Sequence, residues 1–190
     1  MINTRWIIAA AGAVGVGVLT AAAMFGPTQH VKIQEAKEAD GGPGKVSGAC
    51  QAEKQANLDF TVKDMNGAKV RLADYKGKVI LVNFWATWCP PCKVELPGFL
   101  DLYAEYKDKG FVILGISGDD DPETLRKFAA EWKVTYPMIV GRDEEKLMDA
   151  YGPLYGYPTS VLVGRNGAVC GRHVGAASKE ELEREIKALL

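Results

Sequence analysis

Cys89 and Cys92 are separated by two residues, and both of those are proline, in the run Trp88-Cys89-Pro90-Pro91-Cys92. Two thiols at this spacing can close into a disulfide and reopen, so the chemistry on offer is two-electron exchange with other thiols and disulfides. The surroundings strengthen that reading. Residues 79–85 are almost continuously apolar, as expected of a central strand covered on both faces, and a helix-forming stretch begins at Pro90. If Cys89 is the N-cap, Pro90 and Pro91 fill the first two helical positions and Cys92 the third. Neither proline carries an N–H, so the amide of Cys92 is the one nearby donor that can reach the Cys89 sulfur. That bond and the positive end of the helix favour the thiolate of Cys89, which marks it as the nucleophile. Cys92, one turn inside and facing the protein, is the resolving thiol. With two first-turn donors removed, thiolate stabilisation is moderate, which favours a reducing role over an oxidising one.

Other chemistries fit less well. A zinc site needs two further ligands at compatible spacing. Cys50 and Cys170 are isolated, and His30 and His173 form no second knuckle. No metal and no cofactor are therefore expected. Residues 118–121 lack calcium-loop spacing and a distal glutamate; they read as a solvated loop leading to Asp121 as a helix cap. No phosphate loop or Ser-His-Asp arrangement is present. With 23 basic and 24 acidic residues the formal net charge is −1, so there is no basic field for nucleic acid.

The elements that must position the thiols follow from periodicity. Residues 58–62 and 69–72 read as a hairpin around Asn66-Gly67. A helix is predicted over 90–109, with Phe99, Leu102, Tyr103 and Tyr106 facing the core and Gly110 ending it. A strand over 111–116 follows, then a helix capped by Asp121-Pro122 with Leu125, Phe128, Ala129 and Trp132 inward. A strand over 138–140, a helix over 144–151 and paired strands over 159–163 and 168–174 come next. Ser178 and Glu181 form a capping box for the last helix. Strands alternating with helices, then a closing hairpin and helix, predict an α/β domain with a mixed central sheet flanked by helices and an N-terminal hairpin.

Residues 1–27 are different in kind. Arg5 is the only charge before Lys32, and residues 6–26 are apolar over about the length that crosses a bilayer. The segment reads as an uncleaved anchor to the inner membrane, or as a secretory signal with Ala21-Ala22-Ala23 at its cleavage site. Either places the rest of the chain in the periplasm or an equivalent extracytoplasmic space. Residues 28–57 read as a polar linker and residues 58–190 as the folded domain.

The run from Asn83 to Cys92, with Glu95, Pro97, the segment Tyr157-Pro158-Thr159, Asn166-Gly167 and Gly175, resembles the TlpA/ResA branch of membrane-anchored thioredoxin-like thiol-disulfide oxidoreductases. The resemblance spans about residues 58–190 and implies a thioredoxin fold in which Cys89 attacks and Cys92 resolves. It implies proton handling by Glu95, which shares a helix face with Cys92 at i and i+3. It implies a cis peptide before Pro158, whose segment presents backbone to the partner. Trp88 is expected to shield the cysteines and meet clients, whereas Trp85 belongs to the core and Pro97 kinks the helix. Ordinary thioredoxins carry an aspartate where this chain has Asn83, which leaves Glu95 as the nearby acid.

The even number of cysteines outside the cytoplasm suggests a Cys50–Cys170 bridge, and related proteins carry a comparable one; two free thiols or a second redox relay are the alternatives. By resemblance, the clients are disulfide-bearing exported proteins, such as apocytochrome c or copper-site proteins of oxidase assembly. Electrons would come from a transmembrane thiol donor. The rival readings are a disulfide-forming oxidase, a thiol peroxidase, for which no Thr-x-x-Cys arrangement is present, and a copper(I) chaperone using both sulfurs as soft ligands.

Overall fold

A computed structural model of the protein describes residue 50 and residues 54–190. The expected anchor at 6–26 and most of the linker lie outside the described residues. Among the described residues no helix is long and apolar enough to cross a membrane.

In chain order the elements are β1 (Thr61–Lys63), β2 (Lys69–Arg71), β3 (Val79–Trp85), α1 (Pro90–Tyr106), β4 (Phe111–Ser117), α2 (Pro122–Trp132), β5 (Met138–Val140), α3 (Glu145–Ala150), β6 (Thr159–Val163), β7 (Val169–Val174) and α4 (Lys179–Leu189). The central sheet runs β5-β4-β3-β6-β7. β3, β4 and β5 are parallel, and β6 and β7 pair antiparallel beside β3. This is the thioredoxin-like α/β fold, with a mixed sheet and helices on both faces.

β3 is apolar throughout because both its faces are covered. Val79, Leu81 and Trp85 pack with Phe99, Leu102, Leu125, Phe128, Leu182 and Ile186 from α1, α2 and α4. Ile80, Val82 and Phe84 pack with Val62, Leu72, Leu147 and Tyr151 on the other side. The exception on β3 is Asn83, which shares the α1 and α4 side with Leu81 and Trp85 and is 2% exposed.

Three local expectations are corrected. The first helix is α-helical only to Tyr106 and tightens to a 3-10 turn at Lys107–Lys109, where Gly110, at φ 97°, ends it. The capping box of α4 is half formed. The N–H of Glu181 donates to Ser178 Oγ at 3.2 Å, but the Glu181 carboxylate lies beside His173 and Glu185 instead of turning back. The folded domain also begins before Leu58. Val169 N–H donates to the Lys54 carbonyl at 2.8 Å and Ala56 N–H to the Gly167 carbonyl at 2.9 Å. A segment assigned to the linker thus lies along the edge of β7, where it covers backbone groups that an edge strand would leave open.

Cys50 and Cys170 form a disulfide that pins this segment to β7 across a sequence separation of 120. Closing so long a loop lowers the entropy of the unfolded chain. Replacing both cysteines by serine is expected to lower the unfolding free energy by about 4–5 kcal/mol in the chain-entropy model. Urea denaturation checks this, and a loss below about 1 kcal/mol would show that the denatured chain is already constrained there.

Candidate active site

Cys89 is the N-cap of α1, with φ −79° and ψ 110°, and prolines occupy the first two helical positions. Its Sγ accepts a hydrogen bond from the Cys92 N–H at 3.2 Å. The donor geometry expected from the double proline is therefore present. The two sulfurs are bonded to each other, with 5.3 Å between the Cα atoms. In this oxidised form Cys89 is 2% exposed and Cys92 is 4% exposed. A thiolate must reach sulfur along the S–S axis, so attack on this disulfide requires its cover to give locally.

Trp88 stands outside that cover at 61% exposure, its ring centroid 6.0 Å from that of Tyr157. Val94, on the outer side of the same helix, is also exposed. Tyr157 packs against the core cluster that contains both cysteines. The Tyr157–Pro158 peptide is cis, and so is Gly152–Pro153, which the sequence did not single out. The Pro158 carbonyl accepts from Gly175 N–H at 2.8 Å, and the Thr159 hydroxyl donates to the Gly156 carbonyl at 2.8 Å. A Cβ at Gly118 would lie 1.8 Å from the Tyr157 hydroxyl, so any side chain there would push the Tyr157 ring aside. Trp85 is a core residue, packed on Phe128 with centroids 4.9 Å apart.

Asp120 departs from the solvated loop expected over residues 118–121. It is 6% exposed. Its carboxylate accepts from the Thr87 N–H at 2.8 Å, the Thr87 hydroxyl at 2.6 Å and the Ser117 hydroxyl at 2.6 Å. It therefore ties the end of β4 to the loop that delivers Trp88 and Cys89. Asp120→Ala leaves three donors without their acceptor. The expected cost is about 3 kcal/mol of stability, together with slower disulfide exchange as the loop loosens. Denaturation and a client-reduction assay on the same protein check this; unchanged stability would show that the loop is held by other contacts.

Glu95, on the first turns of α1, is 6% exposed. Its Oε1 accepts from Asn83 Nδ2 at 3.1 Å, and its Oε2 accepts from the Ala177 N–H at 3.2 Å. The Asn83 amide also donates to Ser160 Oγ at 3.0 Å. Burial pushes the Glu95 carboxyl up to about 7; the Ala177 and Asn83 donors and the nearby His173 pull the other way. A carboxyl that changes charge near neutrality suits proton transfer at a thiol. Asn83 is thus more than a missing aspartate, since its amide orients the Glu95 carboxyl. The strand pairing that brings Ser160 and His173 to this place leaves no local mark in the sequence.

A thioredoxin-like fold carrying a two-cysteine redox centre at the start of its first long helix defines a thiol-disulfide oxidoreductase. The chain belongs to the AhpC/TSA family, whose model matches residues 53–171. It is 37% identical over 133 residues to the thiol-disulfide oxidoreductase ResA of Geobacillus kaustophilus, covering 69% of this chain and 74% of that one. It is 35% identical over 136 residues to the thioredoxin-like protein YneN of Bacillus subtilis, covering 70% and 78% of the two chains. Among solved structures, a thioredoxin-family thiol:disulfide interchange protein of Chlorobium tepidum superposes with a TM-score of 0.66 at 30% identity, over 72% of this chain and 95% of that one.

Proposed function

We propose that this protein is an extracytoplasmic reductant, tethered to the inner membrane by residues 6–26, that keeps cysteines of exported proteins reduced. The Cys89 thiolate attacks a client disulfide, and the client sulfur that leaves takes up a proton. Glu95 accepts the proton of Cys92, whose thiolate attacks Cys89 Sγ in the mixed disulfide and releases the second client thiol. The client gains two electrons and two protons, and the Cys89–Cys92 disulfide seen here is the product. A transmembrane thiol donor restores the dithiol. The clients are the haem-attachment cysteines of apocytochrome c or the cysteines of oxidase copper sites. Trp88, Tyr157, Pro158 and Thr159 form the surface they meet, and Pro90 and Pro91 shape the N-cap.

One observation supports the direction of transfer above the others. The Cys89 sulfur has a first-turn donor in Cys92 N–H, while the two positions before it are prolines without donors. A thiolate stabilised only moderately gives a less oxidising disulfide. The similarity to ResA proteins supports the same reading.

The test is the reduction potential of the Cys89–Cys92 pair in the full chain in detergent, equilibrated against a thiol buffer and followed by tryptophan fluorescence. A value of roughly −250 mV or lower is expected for a reductant. A value between about −120 and −180 mV would overturn the direction and make the protein a disulfide-forming oxidase.

A further inference from the structure

A row of buried polar side chains crosses the sheet on the side covered by α1 and α4. Asn83 on β3 stands opposite Ser160 on β6, and Ser160 stands opposite His173 on β7. They are 2%, 1% and 8% exposed. The α1 residue Glu95 takes one end of the row through its bond to Asn83. The other end belongs to α4, where Glu185 Oε2 lies 2.9 Å from His173 Nε2. Glu185 is itself only 2% exposed. Glu181, one turn earlier on α4, brings a carboxylate oxygen within 4.8 Å of both.

The charge state of this row is constrained by its depth. A carboxylate as buried as Glu185 is costly unless its partner is cationic. Against an ionised Glu185 the favoured state of His173 is imidazolium, whose Nε2 donates across the 2.9 Å contact. Its affinity for a proton is raised first by the bond to Glu185, against burial, with Glu181 and Glu95 adding to the attraction. The groups that face it are all carboxyls: Glu185 and Glu181 from α4 and Glu95 from α1. Glu95 in turn is faced by His173 from β7 and by Tyr136 from the segment before β5, with Cys92 one turn away on its own helix. Burial raises Tyr136 far above neutrality, so it stays uncharged. His173 is the one group among these that can place a positive charge near Glu95.

We propose that His173 is a positioning residue for the redox reaction: held as imidazolium by Glu185, it sets the charge of Glu95 and so the pH range in which the resolving thiol is deprotonated. The proposal rests on the reading of Glu95 as the base for Cys92. Removal of the cation leaves burial less opposed, so Glu95 holds its proton to higher pH.

The experiment follows the Glu95 carboxyl directly. The full chain in detergent, labelled with ¹³C-glutamate and held oxidised, is titrated by NMR; the Glu95 resonance is the one absent in Glu95→Gln. His173→Gln is expected to move its midpoint up by roughly half a pH unit or more. Glu185→Gln, a near-isosteric change that frees the imidazole to become neutral, is expected to move it the same way, and it decides alone if His173→Gln does not fold. The pH profile of mixed-disulfide resolution should shift upward with the midpoint. A Glu95 midpoint unmoved in the folded variants overturns the proposal. A midpoint that moves while the resolution profile does not, with Glu95→Gln resolving normally, overturns instead the reading of Glu95 as the base.

Discussion

Cys89→Ser is expected to lower client reduction by about a thousandfold or more, because the remaining thiol of the first turn, Cys92, is not the N-cap and lacks the donor that favours the Cys89 thiolate. Cys92→Ser should behave differently. Its Cys89 can still attack, but the mixed disulfide finds no resolving thiol and accumulates as a covalent adduct. Mass spectrometry under non-reducing conditions reads both results. The asymmetry is built into the helix end. Cys89 is the N-cap, whose sulfur accepts from the Cys92 N–H, whereas Cys92 is at the third helical position and supplies that donor. Adducts that form at Cys92 in the Cys89→Ser variant as fast as at Cys89 in the Cys92→Ser variant would reverse the assignment.

Glu95→Gln is expected to slow resolution by between about tenfold and a hundredfold at pH 7. An ordinary thiol with a pKa of about 8.5 is only a few per cent thiolate there, and a positioned base recovers most of that deficit. The wild-type rate should rise with pH to a plateau, with a midpoint near that of the Glu95 carboxyl, at about 7. The variant should lack this midpoint and keep rising until the thiol itself ionises. Stopped-flow measurement of thiol release from a preformed mixed disulfide separates the two profiles, and superimposable curves would remove Glu95 from the mechanism.

The same carboxyl makes stability depend on pH. Its affinity for protons is higher in the folded chain than in the unfolded one, so between about pH 4.5 and 7 the native state binds more protons and stability falls as pH rises. A rise from 4.5 to about 7 corresponds to about 3 kcal/mol, present in full at low pH and lost above 7. Glu95→Gln should therefore gain on the wild type in this window, although its amide cannot accept from both Ala177 N–H and Asn83.

A good deal of this protein follows from residue order. The apolar run at 79–85, the proline pair between the cysteines, the Asp121-Pro122 cap and the glycine at 110 each act over a few neighbouring residues. Backbone sterics, missing N–H donors and strand or helix period are local properties, so they can be read locally. The cysteine pair, the N-cap place of Cys89 and the order of strands and helices were legible for that reason.

The environment of the dithiol was not. Asn83, Ser160 and His173 become neighbours through the pairing of three strands, two of them more than seventy residues from the first. Glu185 joins them only because α4 packs over β7, and Asp120 reaches Thr87 only because β4 runs parallel to β3. A carboxylate in the sequence carries one charge wherever it stands. Whether Glu95 becomes an acid near neutrality depends on how much water the fold removes around it and which donors the fold returns. Desolvation and long-range pairing come only from tertiary structure, because both are set by residues distant in the chain.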